Sequence, residues 1–182
     1  MPRTWLLTST TYGTWLPGDS RGSVSRVRDV PGRRVLQNRY GTPYAPAMPG
    51  LWQSSYSLMR QAPVVFDVQQ AHLVLQQVLE TAVYRGWEVL AVAVLPNHVH
   101  IVVRLGDDVP PCSALRDFKC NTSKLLNRVY SCPGKRWWTS SGSTRLLATE
   151  AAVCNAVNYV LHQPNPLTQY PSGNERRGNG RR

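Results

Sequence analysis

Two histidines stand two residues apart in Leu95-Pro96-Asn97-His98-Val99-His100-Ile101-Val102-Val103, an apolar and largely β-branched run. Such a run favours a strand, whose side chains alternate between faces with a period of two. His98 and His100 therefore leave one face, while Val99 and Ile101 leave the other and can pack beneath them. Two imidazoles side by side on a rigid strand make half a metal site. Taken alone, the pair reads equally as strand histidines satisfied by hydrogen bonds. Further along, Asn155, Tyr159 and Gln163 recur at spacings of four. They form a polar stripe on a helix whose apolar stripe is Val153, Ala156, Val157, Val160 and Leu161. If that helix packs across the histidine strand, His98, His100 and Gln163 offer three ligands with coordination positions left open, and Tyr159 brings a phenol beside them.

The chemistry such a cluster suits is phosphoryl transfer with a tyrosine nucleophile. A phenol has an ordinary pKa of about 10, so it is mostly neutral at pH 7 and needs help. A metal on a non-bridging phosphate oxygen offsets the charge that builds during attack. An aryl phosphate ester is itself a fair leaving group, so the covalent step is reversible and suits strand transfer more than hydrolysis. His162 either tunes this site or caps the helix end.

These groups need a sheet and helices to hold them. Arg3 to Tyr12, Thr-rich with Trp5, Leu6 and Leu7, predicts a first strand. Asp67 to Gly86 predicts a helix. Asp67 and Gln70 are spaced as a capping box, Val68, Ala71, Leu75, Val78, Leu79 and Ala82 form its apolar stripe, and Gly86 suits the position after its last turn. His72 sits on its polar or boundary face. Trp87 to Leu95 and His98 to Leu105 predict two strands joined through Pro96-Asn97. Ser113 to Tyr130 predicts a second helix with the stripe Leu115, Phe118, Thr122, Leu125, Leu126 and Val129. Arg136 to Thr139 and Thr144 to Leu147 predict strands around a Ser/Gly loop. Thr149 caps a third helix, which runs to about Gln163 before Pro164 stops it. The expected organisation is one catalytic domain over 1–166, carrying a basic Gly/Pro/Arg-rich insertion at about 18–63, and then a basic, disordered tail over 167–182.

The chain has 182 residues, 42% of them apolar, and a formal charge of +11. Its pI is near 10.1. Such an excess favours a polyanionic partner, nucleic acid above an anionic membrane surface. The cations are 18 Arg against 3 Lys; the guanidinium fork suits phosphates and stacks on bases, although a genome rich in Arg codons would give the same skew. In the insertion, arginines alternate with Tyr40, Tyr44, Trp52 and Tyr56. This pattern suits single-stranded nucleic acid, and suits equally a solvated loop whose aromatics patch the core. No apolar run is long enough to span a membrane, and the N-terminus reads as a strand rather than a signal peptide. Cys112, Cys120, Cys132 and Cys154 include no C-x-x-C pair, as in a reduced cytoplasmic protein.

Pro96-Asn97-His98-Val99-His100 resembles the HUH motif (His, hydrophobic, His) of single-tyrosine transposases. Tyr159-Val160-Leu161-His162-Gln163 resembles their catalytic tyrosine, followed one turn later by a third metal ligand. Residues 11–22, with Trp138 and Gly142-Ser143-Thr144-Arg145, resemble the REP-associated tyrosine transposases. The resemblance runs from Trp5 to Gln163. It implies an α+β, ferredoxin-like (RRM-like) antiparallel sheet with helices packed on one face, the HUH endonuclease fold. It implies cleavage of single-stranded DNA beside a hairpin or palindromic repeat, with Tyr159 forming a 5′-phosphotyrosine and leaving a free 3′-hydroxyl. His98, His100 and Gln163 would hold Mg or Mn, and imidazole ligands favour Mn at least as well. A bacterial cytoplasmic location, near the nucleoid, follows. Insertion-sequence members are dimers and REP-associated members act as monomers, so both stay open. Two departures stand out: the long Arg-rich insertion, and Pro164 and Pro166 close behind Gln163.

Candidate DNA contacts are Arg21, Arg33, Arg34, Arg116, Lys119, Lys124 and Arg145, each also readable as a solvated cation. Two readings from other classes compete: a nucleic-acid-binding protein that keeps the fold without the chemistry, and a metal hydrolase drawing on Asp107, Asp108 or Asp117. A replication initiator would share the chemistry. A zinc deaminase is disfavoured, because no H-x-E with a C-x-x-C is present.

Overall fold

The computed structural model describes residues 1–22, 28–29, 33–34 and 46–172. In chain order its elements are β1 (Arg3–Thr10), β2 (Arg28–Asp29), β3 (Arg33–Arg34), α1 (Pro49–Ser57), α2 (Val68–Arg85), β4 (Glu88–Val94), β5 (His98–Leu105), α3 (Pro111–Val129), β6 (Ser143–Leu147), α4 (Glu150–Leu161) and β7 (Thr168–Tyr170). The chain divides into two compact units, Met1–Thr10 with Val65–Arg182, and Thr11–Val64.

The first unit is built on an antiparallel sheet of order β6-β1-β5-β4-β7. Its helices begin and end where local chemistry directs. Asp67 accepts from Gln70 N at 2.8 Å while the Gln70 side chain accepts from Asp67 N, a complete capping box, and Gly86 closes α2 at φ 68°. Thr149 caps α4 by accepting from Ala152 N at 3.1 Å. The buried stripe of α2 is Ala71, Val74, Val78, Thr81 and Ala82. It lies a little around the helix from the expected one, so that Val68 is exposed. Trp138 makes only an isolated bridge where a strand was expected at 136–139. At the start of the expected tail, residues 168–170 instead add the edge strand β7 beside β4.

The sheet has two covered faces. The register aligns Leu6 with Val102, Thr8 with His100, Ala93 with His100 and Ala91 with Val102. Directly paired residues share a face, so Leu6, Thr8, Ala91, Ala93, His100 and Val102 look the same way. Val153, Ala156 and Val160 of α4 pack there with Ala91, Ala93, Val102 and Leu147. Leu7, Val92, Ile101 and Val103 look the other way and are fully buried, on the side of α2 and α3. Helices on one face thus describes α2 and α3. The third helix covers the opposite face because its apolar stripe meets the small side chains Ala91 and Ala93, which let it approach closely. Beyond β5, Gly142 is required by a close approach: a Cβ there would stand 2.7 Å from the Thr8 carbonyl oxygen.

The second unit, read as an insertion without regular structure, contains α1, introduced by Pro49 in its first turn. No residue of α1 is buried, so it carries no apolar period by which it could be read. Trp52 and Tyr56, one turn apart, stack at 5.2 Å between ring centroids. Tyr12 ties the unit's ends together, its carbonyl accepting from Val64 N at 2.8 Å and its hydroxyl from Arg60 N at 3.1 Å.

Candidate active site

His100 sits in the middle strand of the five, in a row formed by Ser143, Thr8, His100, Ala93 and Gln169 across the sheet. Thr8 is its neighbour on one side, and Thr8 Oγ1 lies 2.7 Å from His100 Nδ1. Ala93 is its neighbour on the other and is small enough to leave room above the ring. His98 follows on the same face, half-buried, with Asn97 Oδ1 accepting from its Nδ1 at 2.7 Å. The proton held at His98 Nδ1 leaves the lone pair on Nε2. The two imidazoles stand 4.8 Å apart at 79°. Each histidine thus has a polar partner at Nδ1 that fixes the ring, as metal-binding histidines do.

His100 is 6% exposed. Burial pushes its pKa down to about 4, and repulsion from His98 adds to the fall. The ring is therefore neutral at pH 7 and keeps its lone pair well into acid. The same shift has a consequence for stability. An unfolded histidine titrates at about 6.5, so between 6.5 and 4 the unfolded chain binds the proton and the folded one does not. Stability is highest above 6.5 and falls as the pH drops toward 4. We expect His100 to remove about 2 kcal/mol between pH 7.5 and pH 5, the linkage expected of such a pKa difference. Urea unfolding of the metal-free protein and of His100→Gln checks this; equal pH dependence in both would refute it.

Helix α4 brings Tyr159 to this pair. Its ring meets His100 edge-on at 5.3 Å and 68°, while 52% of the residue remains exposed. Val160, next in sequence, is fully buried, so the helix is anchored one residue from the phenol. Gln163 lies one turn on, its Nε2 donating to the Tyr159 carbonyl at 3.0 Å, which leaves Oε1 as the oxygen able to serve a cation. The contacts described thus join His98, His100 and Tyr159, and tie Gln163 to the tyrosine's backbone. His162 Nδ1 bonds the Asn158 carbonyl at 2.8 Å and so finishes the helix end. Among the described residues, no three of His, Cys, Asp and Glu gather into a metal-binding group. The side chains gathered here that suit a divalent cation are the imidazoles of His98 and His100, 4.8 Å apart, with Gln163 tied to the tyrosine's backbone. Two of the three acids a hydrolase would draw on are engaged elsewhere, Asp107 with the N-terminus and Arg3, and Asp117 with Arg85 at 2.7 Å.

The expected DNA contacts divide. Arg21 makes a two-pronged bond to Asp19, at 2.8 and 2.7 Å, and another to the Thr14 carbonyl at 2.7 Å. Hydrogen bonding to Arg21 holds the Asp19 carboxyl below its usual range. Arg21 is thus a turn-former in the second unit, its fork occupied by a carboxylate. Lys119 donates to the carbonyls of Thr139, Ser140 and Ser141 at 2.5, 3.3 and 3.1 Å. Three ammonium donors on three carbonyls make it a loop anchor, and burial lowers its pKa. Arg116 and Lys124 are exposed on α3. Arg145 is exposed on β6 opposite Leu6, and therefore on the histidine face. Arg33 and Arg34 form the backbone of β3; their side chains, like residues 173–182 of the expected tail, lie outside the described residues. Thr8 and Asn97 carry no assignment from sequence. Asn97 precedes the histidines, but nothing local pairs Thr8 with His100.

No curated protein matches the chain. Among solved structures, a REP-associated tyrosine transposase bound to a REP hairpin is similar at 16% identity and TM-score 0.47, over 87% of this chain and 64% of that one. This chain therefore spans less than two thirds of that relative's length. A protein described as a candidate transposase from Deinococcus radiodurans R1 is similar at 12% identity and TM-score 0.45, over 91% and 93%. No helix among the described residues is long and apolar enough to cross a membrane. Residues 63–145 match the IS200-like transposase family, a stretch that holds both histidines and stops short of α4.

Proposed function

We propose that the protein is a metal-dependent single-strand DNA endonuclease and strand transferase that cleaves beside a DNA hairpin through Tyr159. The observation that carries this reading is the Tyr159 ring against His100, on a helix that approaches the sheet from the histidine face. In the reaction, Tyr159 Oη attacks the phosphorus of a phosphodiester and gives its proton to solvent. The bond from phosphorus to the 3′-oxygen breaks, and that oxygen leaves as a hydroxyl after taking up a proton. The 5′-phosphate stays on the tyrosine as an aryl ester, so attack by a 3′-hydroxyl reverses the step and joins strands. His98, His100 and Gln163 would hold Mg or Mn. When bound, the ion withdraws charge from a non-bridging oxygen and makes phosphorus more electrophilic. The exposed half of the Tyr159 ring is compatible with a polymer substrate arriving from solvent. The positive charge of the chain and its resemblance to REP-associated transposases support hairpin DNA as the partner.

The test uses single-stranded DNA from the flanks of the gene itself, with its hairpin, labelled at both ends, in Mn. A denaturation-resistant adduct carrying the 5′-phosphate side supports the proposal. Tight hairpin binding with no adduct, across flanks from several loci, overturns cleavage and favours a binding protein of the same fold.

A further inference from the structure

A groove of about 660 Å³ runs between α3 and residues 135–144. Arg116, Lys119, Lys135 and Arg136 line it, and among the described residues no Asp or Glu does. Like charges gathered in one groove repel one another, and an anion bound there relieves that repulsion. Three of the four, Arg116, Lys135 and Arg136, are exposed. Lys119 lies deeper and fixes the loop wall through its three carbonyl bonds. Gly142 holds the same wall against β1. The groove is therefore a shaped feature with exposed cations on a fixed frame.

The floor says what kind of anion fits. Trp137 and Trp138 are 1% and 8% exposed, and their indole N–H groups are spent on Asn127 Oδ1 at 2.7 Å and Thr122 Oγ1 at 3.0 Å. Buried rings are no platform for bases. Lys135 Nζ rides 4.3 Å above the Trp137 ring, which orders its stem while leaving its charge outward. The groove thus offers spaced positive charges without base readout, the chemistry that grips a phosphodiester backbone. Its place in the sheet gives a direction. Thr144 lines the groove and pairs with Leu7, on the α3 side; Arg145 pairs with Leu6, on the histidine face. Strand β6 is the edge between them.

We propose that this groove is a second DNA-contact track, separate from the His–Tyr cluster, which holds the backbone of single-stranded DNA through Arg116, Lys135 and Arg136 and leads it around β6 past Arg145. The inference shares with the proposed function only the polymer, and its test needs no cleavage. Binding of fluorescent oligo-dT of increasing length is measured in EDTA against salt, for wild type, Arg116→Gln/Lys135→Gln, and Arg85→Gln/Arg104→Gln as a control of equal charge loss on residues paired to acids. The expected result is affinity that grows with length, and a salt slope smaller by about 1.4 in the groove variant, two contacts at about 0.7 each for single strands. A groove variant with the wild-type slope, or a control with the same loss, overturns the proposal. So does competition by nucleoside monophosphate as effective, per molecule, as a long oligomer, which would make the groove a small-anion pocket. Thermal melts identify any unfolded variant; Arg116→Ala alone, on an exposed helix position, then carries the test with a slope change of about 0.7.

Discussion

Tyr159→Phe is expected to bind hairpin DNA as the wild type does and to form no covalent adduct. The substitution removes one atom, the phenolic oxygen. The ring that meets His100 edge-on at 5.3 Å remains, and the helix stays anchored by Val153, Ala156 and Val160. With half the tyrosine in solvent, loss of its hydroxyl falls among surface changes, within about 0.5 kcal/mol of wild-type stability. Loss of a nucleophile costs far more, on the order of 10⁴-fold or greater in rate, since no neighbouring group can form the same bond. The contrast between unchanged binding and a vanished adduct, read on one denaturing gel and one binding curve, is what a nucleophile produces. An adduct that persists in Tyr159→Phe would move the nucleophile to another side chain. Binding that falls with the adduct would make Tyr159 a contact for DNA rather than the attacking group.

Tyr159 and the histidines were legible because each is a local pattern. Alternation along His98-Val99-His100 fixes a shared face without knowledge of the neighbouring strands, and the fourfold spacing of Asn155, Tyr159 and Gln163 separates them from the buried side of α4. Caps are local too, which is why Asp67, Gly86 and Thr149 mark the helix ends they were read to mark. Long-range pairing was not legible. Thr8 is opposite His100 only through the register of β1 on β5. In β4 a bulge between Val89 and Ala91 switches which residues face α4, and alternation in sequence cannot reveal such a switch. Arg21 and Lys119 looked like phosphate contacts because charge is visible in sequence and its partner is not. For Lys119 the partners are backbone carbonyls, which carry no residue identity at all. Helix α1 escaped because it buries nothing, and β7 because a three-residue edge strand has no period to show.

The histidines are expected to fail together and in a different way from the tyrosine. His98→Ala and His100→Ala should each lower adduct formation by more than about 10³-fold, the scale of losing a principal electrostatic contribution to the transition state. Mn is expected to raise the melting temperature of the wild type, because a ligand that binds only the folded state stabilises it by mass action, and each variant should abolish that rise. Hairpin binding in EDTA should survive, since phosphate contacts elsewhere carry it. The two variants then separate by burial. His98 is half-exposed, so its removal should scarcely change the metal-free melting temperature. His100 is 6% exposed and bonded to Thr8, so its removal leaves a cavity and an orphaned hydroxyl and should cost about 2–3 kcal/mol. His98→Ala is therefore the cleaner test: a folded protein that binds DNA, no longer responds to Mn and makes no adduct. Full cleavage by that variant in Mn would remove the histidine pair from the chemistry, and leave His98 and His100 as strand residues satisfied by Asn97 and Thr8.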